Sequence, residues 1–173
     1  MIALSQRAAV AWVVAGLLWG CSQQNSDSEL VAPSQKDFAA VSSVLERRCG
    51  GLDCHGSPAR NLRIHGIYGL RLDGRDSTGG ADTTDAEVIA NYVSVLSIDP
   101  ETLSRVTASQ GAGEERWLLL SKGRQREAHV GGARLSPGTP ADNCVISWLA
   151  GKVDVGVCAE DSFGPIPREG DAW

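Results

Sequence analysis

Residues 49–55 read CGGLDCH: two cysteines five positions apart, with a histidine directly after the second. No other stretch restricts the chain as strongly, because of where the chain is sent. Arg7 is the only charged side chain ahead of the apolar run AAVAWVVAGLLWG, which ends at Cys21. A positive start followed by an apolar stretch too short to span a bilayer reads as an export signal over residues 1–20. Outside the cytosol thiols are oxidised or chemically used. The chain has five cysteines. With Cys21 set aside, Cys49, Cys54, Cys144 and Cys158 remain, and four cysteines allow three disulfide pairings that sequence alone does not separate.

The ending Leu18-Trp19-Gly20-Cys21 resembles the lipobox of bacterial lipoproteins. That resemblance implies cleavage before Cys21, a diacylglycerol on its sulfur, and a protein lipid-anchored in the cell envelope facing the periplasm. The plainer alternative is an ordinary signal peptide with Cys21 as a spare thiol. Polar residues make 21–35 a flexible tether. Residues 36–158 form one domain, long enough to bury a core, and 159–173 a loosely held tail. The net charge of −5, without any basic block, argues against nucleic acid as a partner. No phosphate-binding glycine loop or hydrolase triad signature is present.

Apolar spacing predicts a mainly α domain with long glycine-rich loops. Ser34, with Asp37 three residues on, signals a helix whose stripe is Phe38, Val41, Val44 and Leu45 and which runs into Cys49. NLRIHGIYGLRLDG reads as extended or turn-rich, and DSTGGADTTD as a surface loop. Thr84 with Glu87 makes a capping box for a helix with Val88, Ile89, Tyr92, Val93 and Leu96 as its apolar stripe. Asp99-Pro100 opens a short helix, EERWLLLSK forms another ending at Gly123, and GRQREAHVGGARLSPGTP is a loop containing His129. ADNCVISWLAG predicts a last helix with Val145, Trp148 and Leu149 inward and Gly151 at its C-terminal cap.

Cys-x-x-Cys-His is the pattern of covalent haem attachment. Two thiols add to the vinyl groups on one edge of the ring, and an imidazole lies under the iron. Here the run between the cysteines is two residues longer, which leaves His55 next to the pinned backbone and requires only that the loop bulge outward. Gly50 and Gly51 offer the positive φ angles a tight bulge needs. The residues alone leave two other readings open. One is a Cys49–Cys54 disulfide with His55 as a bystander. The other is a zinc site built from Cys49, Cys54, His55 and a distant histidine.

An apolar helix ending in RRCGGLDCHG, then LRIHG, GLRL, a late HVGG and a final CVISWLAG resembles the cytochrome c-like domains of exported bacterial lipoproteins, over residues 36–158. The resemblance implies a small helical domain whose first and last helices pack together beside the haem. It implies one haem c per chain, with thioethers to Cys49 and Cys54 and His55 as the proximal iron ligand. A Cys144–Cys158 disulfide is then the pairing that leaves no odd thiol. The single methionine is Met1, which leaves with the signal, so methionine is excluded as the distal ligand. His129 in REAHVGGARL is the best-placed candidate, with His65 and Lys122 as fallbacks. Gly131 and Gly132 give its loop room beside a flat ring. The implied function is single-electron transfer rather than catalysis, with an unspecified redox protein partner; peroxidase-like chemistry is a remote variant. The alternative is a disulfide-braced, non-redox lipoprotein interaction domain with no haem.

Overall fold

The computed structural model describes residues 29–163. The export signal, Cys21, the first part of the tether and residues 164–173 lie outside the described residues. The described residues hold six α-helices: α1 Phe38–Cys49, α2 Asp85–Leu96, α3 Pro100–Ala108, α4 Leu118–Gly123, α5 Pro140–Leu149 and α6 Val155–Phe163. The described residues contain one isolated bridge, His65 with Leu70, and no strand. The mainly α class therefore stands.

The stripe predicted for α1 is the buried one: Phe38, Val41, Val44 and Leu45 are all at most 1% exposed. The helix starts at Phe38, and Asp37 stands at its N-cap without a side-chain bond. Residues just before it are docked where a tether was expected. Trp148 Nε1 donates to the Ser34 carbonyl at 2.8 Å, Tyr92 Oη to that of Pro33 at 2.8 Å, and Val31 N–H to Ser104 Oγ at 2.9 Å. Aromatic rings with polar tips need a partner when they turn inward, and this stretch of chain supplies it. Phe38, Tyr92, Trp117 and Trp148 then form one aromatic cluster, with Phe38 5.0 Å from Trp148 and 5.3 Å from Tyr92 between ring centroids.

The capping box of α2 forms as predicted, Thr84 accepting from Glu87 N–H while the Glu87 carboxylate accepts from Thr84 N–H. Part of that stripe holds, with Val88, Tyr92 and Leu96 packed partly buried against the core. Glu87, Asn91 and Val95 point inward, whereas Ile89 and Val93 are 50% and 59% exposed. The cause lies in residues 62–83, which turn repeatedly without a ladder to satisfy their backbone groups. Asn91 accepts from His65 N–H at 2.6 Å and donates to its carbonyl at 2.8 Å. Glu87 accepts from Leu72 N–H at 3.0 Å and from Arg71 Nε at 2.8 Å. Arg71 in turn donates to the carbonyls of Ala81 and Asp82.

The EERWLLLSK run divides into a 3-10 turn, Glu114–Arg116, and α4, with Trp117 extended between them and fully buried in the aromatic cluster. Val145, Trp148 and Leu149 of α5 are buried as spaced, and Gly151 has φ +79° just beyond the helix. The tail departs from expectation. Asp154 accepts from Val157 N–H and opens α6, which packs on α1 and α5. A disulfide joins Cys144 to Cys158, and the fully buried Asp161 pairs with Arg48 at the end of α1. Nine residues held by a disulfide and an ion pair carry little periodic signal, so the helix escaped the spacing argument.

Glu87 makes stability depend on pH. Burial works against its charged form, but Arg71 and the N–H groups of Thr84 and Leu72 outweigh it and hold the carboxyl at about 2, from an ordinary 4.5. A depressed folded value gives stability that is complete above about pH 4.5 and lost as pH falls toward 2. Urea titrations should show wild type losing its advantage over Glu87→Gln across that window. At pH 7 the variant should be less stable by about 1–3 kcal/mol, because Arg71 loses its charged partner but keeps Asp76 at 3.5 Å and the carbonyls of Ala81 and Asp82.

Candidate functional site

Cys49 is the last residue of α1, and the chain turns back on itself immediately. Gly50 N–H donates to the Glu46 carbonyl, Cys54 N–H to Gly51, His55 N–H to Cys49 and Gly56 N–H to Gly51, all within 2.9–3.0 Å. The expected positive φ is not what the glycines supply. Gly50 has φ −83°, and neither Gly50 nor Gly51 is among the positive-φ residues. Close approach is the reason instead: a Cβ on Gly56 or Gly69 would come 1.9 or 2.0 Å from the Gly50 carbonyl oxygen. Three glycines thus let the loop lie flat against the following turn. Its middle bulges outward, with Leu52 58% exposed, while Cys49 and Cys54 are half-buried.

Both thiols are free, so the disulfide reading of the motif is not the state of this structure. Burial, with the neighbouring Cys54 adding to it, pushes the Cys49 thiol up to about 12.

Two histidines meet across the cleft beside these thiols. The rings of His55 and His129 lie 5.9 Å apart between centroids and within 10° of parallel. His55 Nδ1 is 3.1 Å from the Leu62 carbonyl and His129 Nδ1 3.2 Å from that of Gly132. A carbonyl can only accept, so each Nδ1 carries the proton and each neutral ring keeps its lone pair on Nε2. Backbone carbonyls orient metal-binding imidazoles in this way. Burial lowers the His55 pKa against the pull of the Leu62 carbonyl, and His129 and Arg60 lower it further, which favours the neutral ring.

The cleft has two adjoining parts, and Cys49, His55 and His129 line both. One, of about 470 Å³, is walled by Leu62, Ile98, Leu118, Leu119 and Leu135. The other, of about 670 Å³, contains Cys54 and is edged by Arg48, Arg60, Lys122, Arg134 and Asp53. Both volumes lie within the usual range for small-molecule and cofactor sites.

His129 is carried on a loop pinned to α4. The Gly123 carbonyl accepts from Arg134 and Leu135 N–H at 2.8 and 2.9 Å, and that of Ser121 from Arg126 N–H at 2.9 Å. Gly132 takes φ +70°, and a Cβ on Gly131 would stand 3.0 Å from His129 Cε1. Gly131 therefore makes room for the histidine's own ring. Lys122 lines both parts of the cleft, but its Nζ is engaged by the Ala128 carbonyl at 3.3 Å and by Glu127 at 3.5 Å. His65 lines neither part; its backbone is paired to Asn91, and its Nδ1 is buried without a partner. Among the described residues no three His, Cys, Asp or Glu side chains gather as a metal-binding group.

Sequence reasoning missed Arg60 and Arg134 at the cleft edge and the Leu62 and Gly132 carbonyls behind the imidazoles, none of which carries a periodic or motif signal. No family model matches the chain, and no curated protein or solved structure matches it.

The shifted thiol is measurable in protein that carries no cofactor. At pH 8 a rise from 9.0 to about 12 leaves Cys49 on the order of a thousandfold less thiolate, at tenfold per unit. Timed iodoacetamide labelling should modify Cys49 far more slowly in the native protein than in the same protein unfolded in urea. Equal native and unfolded rates would show that the Cys49 thiol is not shifted by burial.

Proposed function

We propose that the domain is a c-type cytochrome that carries single electrons in the cell envelope. It would hold one haem by thioethers to Cys49 and Cys54, with His55 and His129 as the residues that would bind its iron. The observation that carries this reading is the near-parallel histidine pair, each Nδ1 spent on a carbonyl, facing a cleft that also holds two free thiols. The 5.9 Å between the ring centroids brings both imidazoles to the same cleft. The leucine-lined part of the cleft offers an apolar wall to a flat macrocycle, and the cationic edge offers charge to its carboxylates.

The haem supplies the one-electron chemistry; the chain does the rest. The Leu62 and Gly132 carbonyls fix the imidazole tautomers and hold both rings in position. Ile98, Leu118, Leu119 and Leu135 exclude water from one side. Two histidine ligands would give the group a lower potential than a histidine–methionine pair, which suits electron transfer better than catalysis. Cys21, if lipidated, holds the domain at the membrane, so its partner is another envelope redox protein.

The test is His129→Ala. The variant should lose the low-spin spectrum of the parent and bind carbon monoxide in the reduced state, with the covalent haem retained. An unchanged low-spin spectrum would remove His129 as a ligand. A colourless parent would leave the disulfide-braced interaction domain as the reading.

A further inference from the structure

The loop between the two thiols is longer than the usual attachment run, and it must hold Cys54 toward the cleft across that extra length. Its internal hydrogen bonds end on the carbonyls of Cys49 and Gly51. Those of Asp53 and Cys54 are taken from outside. Arg60 Nη2 donates to the Asp53 carbonyl and Arg60 Nε to that of Cys54, both at 3.2 Å. A planar guanidinium fork suits two successive carbonyls in a way that a lysine ammonium does not. Arg60 is itself held, its N–H donating to the Ser57 carbonyl at 3.3 Å while its own carbonyl accepts from Arg63 Nε at 3.2 Å. It also lines both parts of the cleft.

We infer that Arg60 is the positioning residue of the lengthened loop. By fixing the carbonyls of Asp53 and Cys54 on the outer side, it turns the Cys54 thiol inward so that both thioethers form. The inference rests on the haem reading above. In each attachment the thiol adds across one vinyl double bond, sulfur to one carbon and the thiol hydrogen to the other, so no electrons leave the system. Cys49, at the end of a helix packed on both sides, needs no such brace. Cys54 does.

Wild type, Arg60→Ala, Arg60→Lys and Cys54→Ser are to be produced in a host that matures c-type cytochromes. They are then denatured and alkylated, and the labelled residues are mapped by mass. Wild type should show no alkylatable thiol at 49 or 54. Arg60→Ala should keep haem on Cys49 while the labelled fraction of Cys54 rises several-fold. Its haemochrome band should shift toward that of Cys54→Ser, because one vinyl group stays conjugated. Arg60→Lys, which can reach one carbonyl, should fall between alanine and wild type. An intact Cys144–Cys158 link and unchanged far-ultraviolet dichroism mark the variants as folded. Arg60→Ala with both cysteines protected and an unshifted band overturns the role of Arg60 while leaving the haem reading in place. Wild type without haem and with both thiols labelled overturns both.

Discussion

Residues 50–83 run from the end of α1 almost to the start of α2 without a helix or strand, yet the stretch around Ile64, Gly66, Gly69 and Arg71 is buried, and its backbone groups must still find partners. That demand shapes the surrounding helices. α2 turns Glu87 and Asn91 inward and leaves Ile89 and Val93 outside, because the two polar side chains can answer the unpaired groups of His65, Leu72 and the Arg71 guanidinium. From α1, Ser42 accepts from Asn91 at 2.9 Å and Glu46 accepts from Ser42 at 3.0 Å and from Thr83 at 2.5 Å. Burial raises the Glu46 pKa against those two hydroxyl contacts, so the connection between α1 and the segment is built from neutral donors around a desolvated carboxyl.

The same demand reaches the site. His55 sits at the start of the segment. Its carbonyl accepts from Ile64 N–H at 2.8 Å, and its Nδ1 faces the carbonyl of Leu62. Folding the turn-rich segment therefore also aims the imidazole. On the other side, α4 offers the Gly123 carbonyl as the neck of the His129 loop. Each histidine is held by backbone that is itself anchored to a helix, which places the pair without a sheet beneath it.

Spacing made α1 and α5 legible, because Phe38, Val41, Val44, Val145, Trp148 and Leu149 face one continuous core. Capping chemistry marked the starts of α2 and α3. Periodicity failed where polar partners decided orientation, as at Ile89 and Val93, and where covalent and ionic ties replaced an apolar stripe, as in α6. The docking of residues 31–34 was hidden for a related reason: its signal is the hydrogen-bonding need of Tyr92 and Trp148, many residues away. The pairing of His55 with His129 was readable because the chain has only three histidines and its single methionine is Met1. The Leu62 and Gly132 carbonyls that orient the two rings were not, since any residue type supplies a carbonyl.

The central claim is that free thiols, paired imidazoles and an apolar cleft serve one covalently bound haem. Intact mass and absorbance of the wild-type protein, purified from a haem-maturing host and extracted with acid-acetone, test it most directly. The account predicts a chain heavier by one haem that stays coloured after extraction. A colourless chain of plain polypeptide mass would contradict it.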